Sequence, residues 1–96
     1  MNIYKISQEP KCEYGVYDSA IIAAESEEDA RLIHPNEDAY IKNEDWYMTT
    51  HAGIELKYTF GTWVAFKDIH LIKVELIGKA KEGTKRGVIL ASFNAG

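Results

Sequence analysis

Apolar and polar positions along this chain come in short bursts separated by glycine, proline and clusters of charge. That spacing predicts strands rather than long helices. "NIYKIS" (2–7) alternates Ile3, Tyr4 and Ile6 with polar residues and reads as a first strand. "QEPKCEYG" (8–15) holds Pro10 and Gly15 and reads as a turn. "VYDSAIIAA" (16–24) ends in a stretch apolar on both faces, which predicts a central strand. "ESEEDARLIHP" (25–35) then switches to a helical pattern. Ser26 stands as N-cap with Asp29 three residues on, and Glu27, Glu28 and Asp29 sit where the helix dipole favours negative charge. Pro35 stops that helix, giving about eight or nine residues with Ala30, Ile33 and His34 turned inward.

The next segment, "NEDAYIKNEDWYMTTHAG" (36–53), is acidic and turn-rich, yet carries Tyr40, Trp46, Tyr47 and Met48. It either covers an edge of the core or lines a groove or subunit interface, and core cover is the expectation. "IELKYTFGTWVAF" (54–66) gives one or two strands, with Gly61 as a bulge or turn. In "IHLIKVELIGKA" (69–80), His70, Ile72, Val74 and Leu76 alternate with Leu71, Lys73, Glu75 and Ile77, a half-buried strand. "KEGTKRG" (81–87) reads as the loop of an antiparallel hairpin whose second arm is "VILASF" (88–93). The sum is an α+β fold in one domain over residues 1–96: a mainly antiparallel sheet of about five strands with one short helix on a face.

Composition adds constraints. A chain of 96 residues buries one modest core, and association is a natural way to bury more. The lone Cys12 permits no internal disulfide, which fits a reducing cytoplasm. Neither a signal peptide nor a membrane-spanning run is visible. The net charge of −4 argues against a long nucleic acid as partner. Residues 1–48 hold four basic and eleven acidic side chains, whereas residues 49–96 hold seven basic and four acidic. One surface of the second half is therefore suited to an anion, unless the charges serve only solubility.

The chemistry is sparse. His34, His51 and His70 are scattered and Cys12 has no partner at metal-site spacing, so no metal and no cofactor is expected. Ser19, Ser92 and Cys12 lack the surroundings of a nucleophile, so no catalytic residue is expected. "GKAKEGTKRG" (78–87) concentrates Lys79, Lys81, Lys85 and Arg86 among glycines, a composition that suits a phosphate, although it matches no P-loop and equally describes a solvated turn. A nucleobase needs a flat wall and an edge contact. Phe60, Trp63 and Phe93 are candidate walls, Asn94 and His70 candidate edge groups, with core packing the competing fate of the aromatics.

"YDSAIIAAESEEDARLIHP", a following Trp-Val pair and "VELIGKAKEGTKRGVILASFNAG" together resemble a family of small phage and prophage proteins, over residues 3–34 and 62–96. The chain is similar in these stretches to the first Thoeris anti-defence family. That resemblance implies a sponge: a protein of the infected bacterial cytoplasm that sequesters a cyclic ADP-ribose-type or cyclic-nucleotide immune signal without cleaving it. It also implies a homo-oligomer, dimer or hexamer, and a ligand site drawing on Arg86, Phe93 and Asn94, with Arg31 in the helix motif. Lys85, Trp63 and His70 complete the candidate set from the residues themselves. Arg86 and Arg31 are the only arginines, and lysine does not replace arginine at a bidentate site. The rival expectation is a protein-interaction inhibitor of a host defence complex, anti-CRISPR-like, whose Glu27, Glu28 and Asp29 mimic nucleic acid. A small phosphodiesterase would need paired histidines or a metal cluster, which the sequence lacks. Arg86 and Asn94 stand a strand apart, roughly 20–25 Å, so one small ligand reaches both only if subunits share it.

Overall fold

The computed structural model describes residues 1–8 and 15–94. Strands dominate it. In chain order the elements are β1 (Asn2–Ser7), β2 (Val16–Ala24), α1 (Glu27–Ala30), β3 (Tyr40–Lys42), β4 (Asp45–Thr49), β5 (Glu55–Lys57), a 3-10 helix (Phe66–Leu71), β6 (Lys73–Lys79) and β7 (Gly87–Asn94). They form two antiparallel sheets: a four-stranded one in the order β6-β1-β2-β7, and a three-stranded one in the order β3-β4-β5. The architecture is thus mixed α/β and mostly strand, with seven strands in two sheets among the described residues rather than about five in one.

β1 and β2 pair centrally, from Asn2 opposite Ala24 to Ser7 opposite Ser19. The apolar run in β2 has the central place its two-sided pattern predicts. Its core face supplies Ala20, Ile22 and Ala24, beside Tyr4 and Ile6 of β1; Ile6 and Ile22 have no exposed surface. Ala30 and Ile33 from the helical segment, Trp46 of β4, Trp63 and Ile72 close over that face in one cluster. Tertiary burial of this kind, rather than propensity, holds so short a helix.

The helix is shorter than its pattern predicts. The cap forms as expected: the Asp29 backbone N–H donates to Ser26 Oγ at 3.1 Å, and Asp29 Oδ2 accepts from the Glu25 backbone N–H at 3.0 Å. Beyond Ala30 the chain tightens into i→i+3 bonds, Leu32 to Asp29 and Ile33 to Ala30. Such bonds end a helix. His34 and Pro35 are both buried there, so the chain must turn toward the core instead of continuing along the helix axis.

The 36–53 region does cover the core, through Trp46, but by building a second sheet. Asn43 and Glu44 join β3 to β4 with φ of 50° and 57°. Two successive left-handed residues make the hairpin turn that matches strand twist, and glycine is usual at the second. Trp46 is 3% exposed and its Nε1 donates to the Val64 carbonyl at 3.0 Å.

The expected hairpin between the last two strands does not exist. β6 pairs with β1, β7 pairs with β2, and the two lie on opposite edges. Residues 80–86 therefore cross the end of the β1–β2 pair, spanning three strand spacings, about 14 Å. Ala80 N–H bonds the Met1 carbonyl on the way. The basic loop is a strap across the sheet, not a tight turn.

Candidate functional site

The strap sets Lys85 and Arg86 against one end of the sheet, at the start of edge strand β7. Facing them is the chain that leaves the helix, Leu32 to Ile41. Between the two runs a cavity of about 540 Å³, lined by Ile33, His34, Glu37, Tyr40, Lys85 and Arg86 among others. A second hollow, about 370 Å³, continues along the same edge between Asn36–Asp38 and Val88–Ala91. Glu37 and Val88 line both, so one groove follows β7.

Arg86 is already engaged. Its Nε donates to Asp29 Oδ1 and Oδ2 at 2.9 and 3.0 Å, and Nη2 lies 2.8 Å from Oδ1. The guanidinium holds the Asp29 carboxyl below its ordinary range. Asp29 thus serves the helix cap and the strap together, a double use that its place in the acidic first turn conceals. Lys85, by contrast, is exposed and has no side-chain hydrogen bond or ion pair among the described residues.

His34 forms the inner wall. It is 3% exposed and its Nδ1 accepts from the Asn36 backbone N–H at 2.9 Å, which puts the proton of the neutral ring on Nε2. Tyr58 and Trp46 meet it edge-on at 4.8 and 5.0 Å between ring centroids, Tyr17 at 6.2 Å. Burial lowers its pKa from 6.5 to about 4, so it is neutral at physiological pH. The aromatic collar around His34 was hidden in sequence because its three rings lie on three separate segments, none of them next to His34 in the chain.

The remaining candidates disperse. Arg31 ends the helix and reaches Glu27 at 3.8 Å, outside the groove. Trp63 is 5% exposed and belongs to the core, the competing fate foreseen for it. His70 is exposed on the 3-10 helix, not within a strand, and does not line the groove. Phe60 is 68% exposed and leans on Tyr58. Phe93 lies toward the far end of β7, 45% exposed, edge-on to Tyr17 at 4.8 Å. Asn94 pairs through its backbone with Val16, while its side chain lies outside the described residues, as does Cys12. The chain by itself therefore brings together Lys85 and Arg86, but not these with Trp63, His70 or Phe93.

Comparison of the chain with protein-family models, with curated proteins and with solved structures finds no match in any of the three. Among the described residues no helix is long and apolar enough to cross a membrane.

Proposed function

We propose that the protein is a binding module that sequesters a small phosphorylated nucleotide, of the cyclic ADP-ribose or cyclic-nucleotide type, without cleaving it. The observation that supports this reading is the groove beside β7. Its 540 Å³ is within the size range of small-ligand sites, and it joins a cationic wall, Lys85 and Arg86, to Tyr40 and a neutral His34. Asp29 competes for the Arg86 guanidinium, taking Nε and one terminal nitrogen and leaving the other terminal nitrogen for a phosphate oxygen. Neutral His34 backs the groove from within the core and is protonated too weakly to act as a general acid at neutral pH.

The proposal includes a homodimer. β7 is an edge strand, and "VILASF" carries no charge to protect it. Ile89 and Leu90 are 53% and 66% exposed. Antiparallel pairing of two β7 strands about a two-fold axis at Leu90 sets Lys85 and Arg86 of one copy beside the partner subunit's Phe93. Parallel pairing would instead stack the basic residues on one another. The shared arrangement answers the strand-length gap between the basic loop and Phe93.

Incubation of the protein with cyclic ADP-ribose, removal of free ligand, and heating tests the reading. Intact ligand should be released in stoichiometric amount. Altered ligand would show catalysis, and no retained ligand would dismiss sequestration of this compound class.

The second reading, an acidic mimic that blocks a host complex, has Glu27 and Glu28 exposed on α1 in its favour. The engagement of Asp29 with Arg86 weakens it, since one of the three carboxylates is neutralised. Replacement of Glu27 and Glu28 by glutamine should leave nucleotide retention intact, whereas Arg86→Ala should lower it.

A further inference from the structure

The groove beside β7 holds a group that a phosphate alone does not explain. Of the residues lining its larger hollow, Glu37 is the one with a carboxylate, and Lys85 and Arg86 share that hollow with it. Glu37 is exposed and forms no ion pair among the described residues, so neither cation neutralises it. It lines the smaller hollow as well, which sets it where the two meet. The Asn36 side chain beside it is occupied: its amide nitrogen donates to Tyr58 Oη at 3.2 Å and its oxygen accepts from the Asp38 backbone N–H at 2.9 Å. A free carboxylate repels a phosphorylated ligand unless that ligand brings donors to meet it.

A flat wall stands in the same hollow. Tyr40 Oη donates to Glu55 Oε2 and bonds Thr49 Oγ1, both at 2.7 Å, so the phenol is tied to the second sheet. Its ring has no aromatic partner among the described residues. A ring held in this way is a platform for any base, because stacking is tolerant of base identity. The choice among bases then falls to the group at the base's edge. A carboxylate only accepts hydrogen bonds. Guanine offers two adjacent donors on its Watson–Crick edge, N1–H and the exocyclic amine. Adenine and cytosine set one donor beside a ring-nitrogen acceptor, and uracil sets one between two carbonyls.

We propose that the groove selects guanine: the Glu37 carboxylate accepts from N1–H and the exocyclic amine, Tyr40 stacks on the ring, and Lys85 and Arg86 hold the phosphate. This selection rests on the nucleotide reading of the groove and narrows it to the guanine-bearing members of the class. Edge recognition of an unpaired base by a few polar groups is the usual way a protein tells one base from another. The hollow lies at the end of the sheet where Gly87 and Val88 pair with Ala23 and Ile22, the far end from Val16.

Titration calorimetry of the full chain with cyclic GMP and with cyclic AMP, which differ only in the base, reads the ratio of the two affinities. The wild-type chain should favour cyclic GMP by at least about 10-fold, the discrimination of one bidentate contact. Glu37→Gln keeps the side chain's shape at an exposed position, so the fold is retained. Its amide offers one acceptor and one donor, the complement of adenine's edge. The variant should therefore lose the preference or reverse it. Any general gain from removing a negative charge raises both affinities and cancels in the ratio. Equal affinities in the wild-type chain, or the same preference in Glu37→Gln, would overturn guanine selection and leave nucleotide sequestration standing. Retention of cyclic ADP-ribose by a chain that binds neither cyclic mononucleotide would do the same. Failure to bind any of the three would overturn the selection together with the reading on which it rests.

Discussion

Leu90→Lys should abolish the proposed pairing of two copies through β7. Leu90 sits on an uncharged edge strand and is 66% exposed, so lysine there leaves the subunit's own core untouched. The surface of one subunit is 6464 Å². A folded monomer of 10.9 kDa is expected to expose about 5,600 Å². The excess of about 900 Å² is close to the share each partner gives to a standard interface, about 800 Å². Burying the exposed two-thirds of a leucine is worth about 1.5 kcal/mol, hence about 3 kcal/mol for the two copies that meet at the axis. Two opposed lysines add up to about 1 kcal/mol of repulsion. The dissociation constant should therefore rise at least about 100-fold. Sedimentation equilibrium over a wide concentration range measures this directly. Ile77→Lys, on the opposite edge strand β6 and 53% exposed, is the matched control and should leave association unchanged. A wild-type chain that stays monomeric at about 100 µM, a mutant as tightly associated as wild type, or equal loss in the control would refute edge pairing through β7.

Asp29→Asn should release Arg86. With side chains 45% and 20% exposed, the ion pair is worth about 1 kcal/mol or less, a fall in melting temperature of a few degrees, while affinity for inorganic pyrophosphate should rise relative to wild type and fall in Arg86→Ala, as calorimetry would show. Since the Asp29 pKa is lowered in the fold, this contribution is full above the ordinary carboxylate range and is lost as pH falls below that range through the lowered folded pKa. His34 acts in a higher window: its folded pKa of about 4 lies below the unfolded 6.5, so the unfolded chain binds the extra proton, and stability should drop by about 3 kcal/mol between pH 6.5 and 4. Urea midpoints across that range should flatten in His34→Gln, whatever its baseline stability. Glu44→Gly should raise the melting temperature by a few degrees, because left-handed geometry strains glutamate by about 1 kcal/mol and glycine's greater unfolded entropy returns only part of it.

Local features were legible in the chain and distant ones were not. The alternation in β1, the two-sided apolar run of β2 and the Ser26 cap each depend on neighbours within a few residues, and each formed. The length of α1 misled because Ala30, Ile33 and His34 fit a helical stripe, whereas the burial of His34 with Pro35 sets where the chain must go. The second sheet was obscured by acidic residues on its exposed side; of its aromatic residues only Trp46 is buried. The pairing of β6 with β1 and β7 with β2 joins residues some 70 apart, which no local pattern encodes. At the site, Lys85 and Arg86 stood out by composition, but Asp29 and His34 acquire their roles only through contacts made by folding.

The crossing strap also dictates an order of assembly. β1 and β2 are close in sequence and can zip together early, whereas β6 must find one flank of that hairpin and β7 the other. Long-range pairings of this kind close slowly, since the entropy of large loops is spent before contacts repay it. Once β6 has docked, the strap shortens the remaining search for β7 to a few residues of slack, and the Arg86–Asp29 pair can fasten its near end before the strand zips. Weakening that clasp should therefore slow the last folding step by about as much as it lowers equilibrium stability, with little change in the unfolding rate.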